Sequence, residues 1–157
     1  MIKHIKCDIF KSGADVILHQ VNCQGVMGSG VAKQVKDKYP KVYEEYKKWC
    51  NELPTNALLG ESQFVRTKED YNTNFIGIFN LFAQNNFGYD GGRYTSYDAL
   101  YSCLRHVKNS LPNNTITIAI PYLMSCCRGG GDWNKVYEMI VEVFSDYEVL
   151  ICEYNGG

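Results

Sequence analysis

The sequence lacks an excess of either charge. Lys and Arg together number 16 and Asp and Glu 17 among 157 residues, so the formal net charge is −1. Proteins that bind nucleic acid through its phosphates carry a basic excess in at least one region. We therefore expect no nucleic-acid partner. The length fits one domain covering residues 1–157.

Long hydrophobic runs are also missing. No stretch of about 18 consecutive apolar residues occurs, which argues against a membrane-spanning helix. Residues 1–6 are mixed apolar and basic and lack the apolar region of a secretory signal. We expect a cytoplasmic protein without a membrane partner, and a monomer.

The seven cysteines contain no Cys-x-x-Cys pair. Their number is odd and Cys126 and Cys127 are adjacent, so neither a disulfide framework nor a zinc-ligand spacing is indicated. Nothing in the sequence requires a metal or another cofactor. Cys23, Cys126 and Cys127 could act as nucleophiles beside helix N-termini, but the commoner role of such cysteines is as small buried hydrophobes.

Strand and helix patterns alternate along the chain. This alternation predicts an α/β fold whose mixed, mostly parallel sheet is covered by helices on both faces. Loose alternation predicts one or two short strands within 2–10. Apolar or β-branched runs predict strands at 15–21, 58–65, 74–83, 115–122 and 148–154. Helical periodicity predicts helices at 30–39, 41–53, 97–111 and 133–147.

Two glycine-rich turns follow predicted strands. The first ends in Gly28-Ser29-Gly30 and opens a helix, and the second spans 125–132. Glycine permits close backbone approach, and the free N–H groups of a helix start attract phosphate. Either turn could be only a tight connection, but two turns at one edge of the sheet suit a ligand with two phosphates. The sequence contains neither the Gly-Lys-Ser/Thr motif of NTP-hydrolysing proteins nor the Gly-x-Gly-x-x-Gly motif of dinucleotide-binding proteins.

These turns, together with Cys7-Asp8-Ile9-Phe10, resemble the macrodomain family, a three-layer α/β/α module that binds ADP-ribose. Within it, Ile17-Leu18-His19, Leu58-Leu59-Gly60 and Trp133 resemble the branch of ADP-ribose 1″-phosphate phosphatases and terminal ADP-ribose protein glycohydrolases.

The resemblance implies a set of ADP-ribose contacts. Asp8 and Ile9 would meet the adenine, with Tyr154 and Asn155 packed on it. The two turns would hold the distal ribose and the diphosphate. The implied residues of the turns are Asn22, Gly25, Val26, Met27, Gly28, Ser29, Gly30, Met124, Ser125, Cys126, Cys127, Arg128, Gly129, Gly130, Gly131 and Asp132.

Two features depart from the family pattern. Some members of this branch use a lysine nucleophile where this chain has Gln84, and a glutamine cannot form a Schiff base. The second turn usually opens with Gly-x-Gly, whereas this chain has Ser125-Cys126-Cys127. Added side chains there could weaken phosphate binding or change the shape of the loop.

Three residues are candidates for catalysis, each with a structural alternative. Asp132 could activate a water or could only cap the next helix. His19 could transfer protons near neutral pH or could be a buried core histidine. Asn22 could orient a ribose hydroxyl or a water, or could only satisfy the loop backbone.

The sequence leaves three possible functions for this chain. The preferred one is hydrolysis of a C1″ substituent, above all of ADP-ribose 1″-phosphate to ADP-ribose and phosphate, with ADP-ribosyl-glutamate or -aspartate esters as alternative substrates. A second is a reader that binds free or protein-linked ADP-ribose without turnover. A third is a binder of an unrelated nucleotide or of single-stranded RNA, for which the twelve tyrosines offer stacking surfaces but which the slight negative charge disfavours.

Overall fold

The computed structural model describes residues 1–88, 92, 94–126 and 129–154. Six strands form one sheet: β1 (Ile2–Lys6), β2 (Val16–Asn22), β3 (Ser62–Arg66), β4 (Gly77–Gln84), β5 (Ile118–Pro121) and β6 (Val149–Glu153). Their order across the sheet is β1-β6-β5-β2-β4-β3. Every pairing is parallel except that between β3 and β4. The predicted mixed, mostly parallel sheet is confirmed.

Helices cover both faces of this sheet. They are α1 (Gly30–Lys38), α2 (Pro40–Glu52), α3 (Thr55–Leu58), α4 (Lys68–Tyr71), α5 (Tyr97–Ser110) and α6 (Trp133–Val143), and a short 3-10 turn spans Ile9–Lys11. None of the helices in the described ranges is long and apolar enough to cross a membrane.

The alternation of side chains along β2 divides the core into two halves. Val16 and Leu18 pack with α5 and α6, whereas Ile17 and Val21 pack against the opposite cluster, which contains residues of α1 and α2. Successive strand residues point to opposite faces, so one apolar strand supplies both cores. The result is the three-layer α/β/α arrangement.

Several predicted boundaries were wrong for local reasons. Residues 58–65 do not form one strand, because α3 continues to Leu58 and Gly60 then turns with a φ of +97° before β3 begins. The predicted strand 115–122 shortens to β5 because the carboxylate of Asp15 accepts the N–H of Thr117 in place of a strand partner. Within 2–10, where one or two short strands were predicted, one strand forms and ends at Lys6, and the predicted helix 133–147 ends at Val143.

Candidate functional site

A cleft of about 260 Å³ lies beyond the carboxyl ends of β2, β4 and β5. Ligands of open α/β sheets bind at this edge. Residues of both glycine turns line the cleft. We call residues 22–30 the first loop and residues 122–132 the second loop.

The first loop is folded around the side chain of Asn22. Its Oδ1 accepts hydrogen bonds from the N–H of Gln24 at 2.9 Å and from the hydroxyl of Tyr46 at 2.7 Å. Its Nδ2 donates to the carbonyl of Val26 at 2.8 Å. Asn22 lines the cleft, but these bonds support the loop-holding role, and one hydrogen on Nδ2 remains for a ligand.

The first loop delivers the start of α1 to the cleft. Gly25 and Gly30 have φ angles of +80° and +62°, which explains the need for glycine at both positions. Ser29 is the N-cap of α1, and its side chain makes no capping bond. Gly30, Val31 and Ala32 all line the cleft, and the first turn of a helix carries N–H groups that have no partner within the helix. Gly28 and Val26 also line it, whereas Met27 is buried beneath the loop.

The second loop is held by hydrogen bonds to one carbonyl. The oxygen of Ser125 accepts from the N–H of Gly131 at 2.7 Å and from the hydroxyl of Thr95 at 3.0 Å. Ser125 has a φ of +74°, an uncommon angle for a residue with a side chain. The loop therefore keeps a sharp shape although Ser125 stands where the family pattern has glycine. Met124, Ser125 and Gly129 line the cleft, and Gly130 and Gly131 follow in the same loop.

Some predicted residues of this loop lie elsewhere. The thiol of Cys126 donates to the carbonyl of Met124 at 3.3 Å, and Cys126 is not among the residues that line the cleft. Cys127, Arg128 and Asn155 lie outside the described residues. Among the described residues no three His, Cys, Asp or Glu side chains converge as metal ligands would.

Gln84 belongs to a polar network that the sequence did not reveal. Its Oε1 accepts from Nε2 of Gln20 at 2.7 Å, and its own Nε2 donates to the carbonyl of Asn86 at 2.8 Å. Gln20 also donates to Thr95 at 2.8 Å and accepts from the hydroxyl of Ser125. The network ties two strands to the second loop. In the sequence, the one indication of a role for Gln20 was that a polar residue interrupts the apolar run of β2.

Asp132 is confirmed as a helix cap. Its carboxylate accepts the N–H of Asn134 at 2.9 Å at the start of α6, and its own N–H donates to the hydroxyl of Tyr97 at 2.9 Å. The side chain is exposed at the end of the second loop and is not among the cleft-lining residues. A catalytic role for this carboxylate stays a prediction.

His19 lines the cleft but is only 1% exposed. Burial lowers its pKa to about 4, although a hydrogen bond with Asn80 acts in the opposite direction. The imidazole is therefore neutral at physiological pH. A catalytic role for this imidazole stays a prediction, and the burial agrees with its alternative as a core histidine.

The predicted adenine residues lie further along the same sheet edge. The carboxylate of Asp8 accepts the N–H of Phe10 at 3.0 Å, and Ile9 is buried in the turn that follows β1. Tyr154 follows β6 and is 60% exposed. None of the three lines the 260 Å³ cleft.

Burial also bears on whether Cys23 could act as a nucleophile. It raises the pKa of Cys23, in the first loop, to about 12, so this thiol stays protonated at physiological pH. Thiolate is the nucleophilic form. Cys23 therefore acts as a buried hydrophobe.

Three layers and two glycine-rich loops at the carboxyl edge define an α/β/α domain suited to a phosphorylated ligand. The family model described as Macro domain matches residues 18–140. The chain belongs to the Macro domain family, as the resemblance predicted.

Two relatives and one solved structure extend this finding. The chain is 27% identical over 165 residues to a DNA ADP-ribosyl glycohydrolase of Mycobacterium tuberculosis, covering 100% of this chain and 43% of that protein. It is 35% identical over 85 residues to an ADP-ribose 1″-phosphate phosphatase of Scheffersomyces stipitis, covering 49% of each. The matched region thus covers less than half the length of either relative. The macrodomain of Mycobacterium tuberculosis DarG superposes with a TM-score of 0.78 at 26% identity, covering 97% of both chains.

Proposed function

We propose that this chain binds ADP-ribose in the cleft and hydrolyses a substituent at C1″ of an ADP-ribose derivative. The observation that carries the proposal is the convergence of both glycine-rich loops, and of the start of α1, on one cleft. Both relatives described above are named for reactions on ADP-ribose derivatives.

The diphosphate would be held by backbone groups. No Asp, Glu, Lys or Arg side chain is among the described residues that line the cleft. Backbone N–H groups of the two loops and the dipole of α1 would therefore provide the attraction. Each hydrogen bond to a charged oxygen is worth about 1.5–3 kcal/mol.

The ligand would extend along the sheet edge. The first loop follows β2, and Asp8 and Tyr154 follow β1 and β6, which lie beyond β5 on the same side of β2. Adjacent strands are about 4.8 Å apart, so roughly 14 Å separates β2 from β1. We place the adenine near Asp8, Ile9 and Tyr154 and the distal ribose near Asn22.

The preferred substrate is ADP-ribose 1″-phosphate, which water converts to ADP-ribose and inorganic phosphate. Gln84 disfavours a Schiff-base route, because its amide is not a nucleophilic amine and both its polar ends are already hydrogen-bonded. ADP-ribosyl esters of glutamate or aspartate are alternative substrates. ADP-ribosylated DNA must be tested as well, because of the activity for which the mycobacterial relative is named.

The proposal is tested by ³¹P NMR of the protein mixed with ADP-ribose 1″-phosphate. We expect the monoester signal to be replaced by that of free phosphate. If the pyrophosphate signals shift without turnover, ADP-ribosylated DNA and protein are the next substrates. Unchanged spectra with all three would contradict the proposal.

Asp132→Asn separates the two roles of this carboxylate. Asparagine caps helices about as well as aspartate but cannot act as a base. If the carboxylate activates water, Asp132→Asn loses turnover while ADP-ribose affinity and stability stay near wild type. If only the cap matters, Asp132→Asn keeps turnover, whereas Asp132→Ala costs about 1 kcal/mol of stability.

A reader without turnover is the second candidate. It is favoured by the uncharged lining of the described cleft and by the engagement of Gln84 and Asn22 in structural hydrogen bonds. ADP-ribose binding with no hydrolysis of any of the three substrates would establish this alternative.

A further inference from the structure

A row of buried polar side chains crosses three strands below the cleft. His19 on β2 pairs in register with Asn80 on β4, and Asn80 pairs in register with Gln63 on β3. The three side chains are 1%, 0% and 3% exposed. Such a row in a close-packed apolar layer is costly unless its members are hydrogen-bonded.

Hydrogen bonds connect the whole row to a backbone carbonyl on α2. Nε2 of Gln63 donates to the carbonyl of Glu45 at 2.8 Å. Nδ2 of Asn80 donates to Oε1 of Gln63 at 3.0 Å, and Oδ1 of Asn80 lies 2.6 Å from Nε2 of His19.

The carbonyl at the end of this row determines the tautomer of His19. A carbonyl can only accept, so Gln63 must present its NH₂ group to Glu45 and its oxygen to Asn80. Asn80 then presents its NH₂ to Gln63 and its oxygen to His19. Nε2 of His19 must therefore carry the proton, and Nδ1 is left as an unprotonated acceptor.

Nδ1 has no partner among the described residues. It is buried and has no hydrogen-bond partner, and His19 is among the residues that line the cleft. A buried acceptor without a partner costs about 1–3 kcal/mol, and native structures contain few of them. This nitrogen is the buried side-chain atom of the described chain that still requires a donor.

We propose that Nδ1 of His19 is a fixed acceptor for an O–H donor at the floor of the cleft. This inference rests on the proposed function for the identity of the ligand. The donor is either a hydroxyl of bound ADP-ribose or a water retained in the cleft. His19 then orients that O–H group without exchanging a proton with it. The lowered pKa of His19 agrees with this role, because a neutral imidazole keeps its lone pair at physiological pH.

The tautomer and the state of Nδ1 can be measured directly. Long-range ¹H–¹⁵N spectra of the ¹⁵N-histidine-labelled chain at pH 7, without and with saturating ADP-ribose, report the two ring nitrogens separately. We expect protonated Nε2 in both samples. A shift of the Nδ1 resonance on addition of ADP-ribose identifies a ribose hydroxyl as the donor. A hydrogen-bonded Nδ1 that ADP-ribose leaves unchanged identifies water.

Two results would overturn the inference: protonation of Nδ1, or an Nδ1 resonance typical of a free acceptor in both samples. Failure of the proposed function is recognised separately, as an absence of ADP-ribose effects on the loop amides. The tautomer in the ligand-free protein does not depend on that result.

Paired variants distinguish ligand contact from packing. His19→Gln keeps an N–H donor for Asn80 and removes the Nδ1 acceptor. If a ribose hydroxyl is the donor, the Kd for ADP-ribose rises about three- to tenfold, the loss of one hydrogen bond. Gln63→Met breaks the row at its far end and keeps the imidazole, so it lowers stability with less than a twofold change in Kd. Equal changes in Kd for both variants would reduce His19 to a packing role and contradict a ligand contact.

Discussion

Replacing Gly129 by alanine should disrupt the second loop without unfolding the protein. A Cβ at this position would lie 2.6 Å from the carbonyl oxygen of Ser125 and 3.0 Å from Nε2 of Gln20, and closer still to the hydroxyl of Thr95. None of these atoms can retreat freely, because all three are hydrogen-bonded to one another or to Gln84. The loop must therefore move.

The expected losses of stability and of ADP-ribose affinity follow from the hydrogen bonds that a displaced second loop would break. The carbonyl of Gly129 accepts the N–H groups of Tyr94 and Thr95 at 2.7 and 2.9 Å, so a displaced loop loses its connection to this segment. Overpacking of this kind costs about 1–3 kcal/mol of stability. If the displacement removes one backbone N–H bond to a phosphate oxygen, ADP-ribose affinity falls about ten- to hundredfold.

Isothermal titration calorimetry with ADP-ribose and urea denaturation measure the two quantities. Gly13→Ala is the control. Gly13 has a φ of +82°, an added Cβ there would meet no atom within 4 Å, and the residue lies before β2, at the opposite end of that strand from the cleft. Gly13→Ala should lower stability by about 1 kcal/mol and leave affinity unchanged. Wild-type affinity in Gly129→Ala would refute the assignment of the second loop to the ligand.

Three further predictions concern buried polar groups. Gln84→Met removes the hydrogen bonds with Gln20 and Asn86 and should cost about 1–3 kcal/mol in urea denaturation; wild-type stability would contradict the structural role of the network. Cys23, with a pKa of about 12, should react with iodoacetamide at pH 8 far more slowly in the native chain than in urea, and equal rates would contradict its burial. The pKa of His19 is about 4 in the folded chain and 6.5 for an exposed histidine, as in the unfolded chain. Between these pH values only the unfolded chain binds a proton, so the free energy of unfolding falls as pH falls from 6.5 to 4. This loss amounts to about 3 kcal/mol of unfolding free energy. Urea denaturation of His19→Gln should not show the loss, and parallel pH profiles of the wild type and His19→Gln would contradict the prediction.

The fold was predictable because its signals are local and repeated. The apolar run of β2 and the glycines after it predicted a strand, a turn and a helix, and Pro40 indicated the break between α1 and α2. The errors arose where tertiary contacts replace strand pairing, as at Thr117, whose N–H is taken by Asp15 from 102 residues away.

The backbone of the site was also predictable, but the state of its side chains was not. Sequence spacing placed Asn22 and His19 at the cleft. It could not show that the side chain of Asn22 is hydrogen-bonded to Tyr46 or that His19 is hydrogen-bonded to Asn80. Those partners come from other elements and are fixed only by sheet register and helix packing. The neutral His19 is a consequence of this burial, which no local pattern encodes.

The most direct test of the account is a titration of the ¹⁵N-labelled chain with ADP-ribose, followed through its backbone amides. We expect the largest shifts on two separate segments, residues 25–32 and 129–133, and smaller shifts at Asp8 and Ile9. Shifts confined to another surface, or none at saturating ADP-ribose, would contradict the claim that the two glycine-rich loops form one ADP-ribose site.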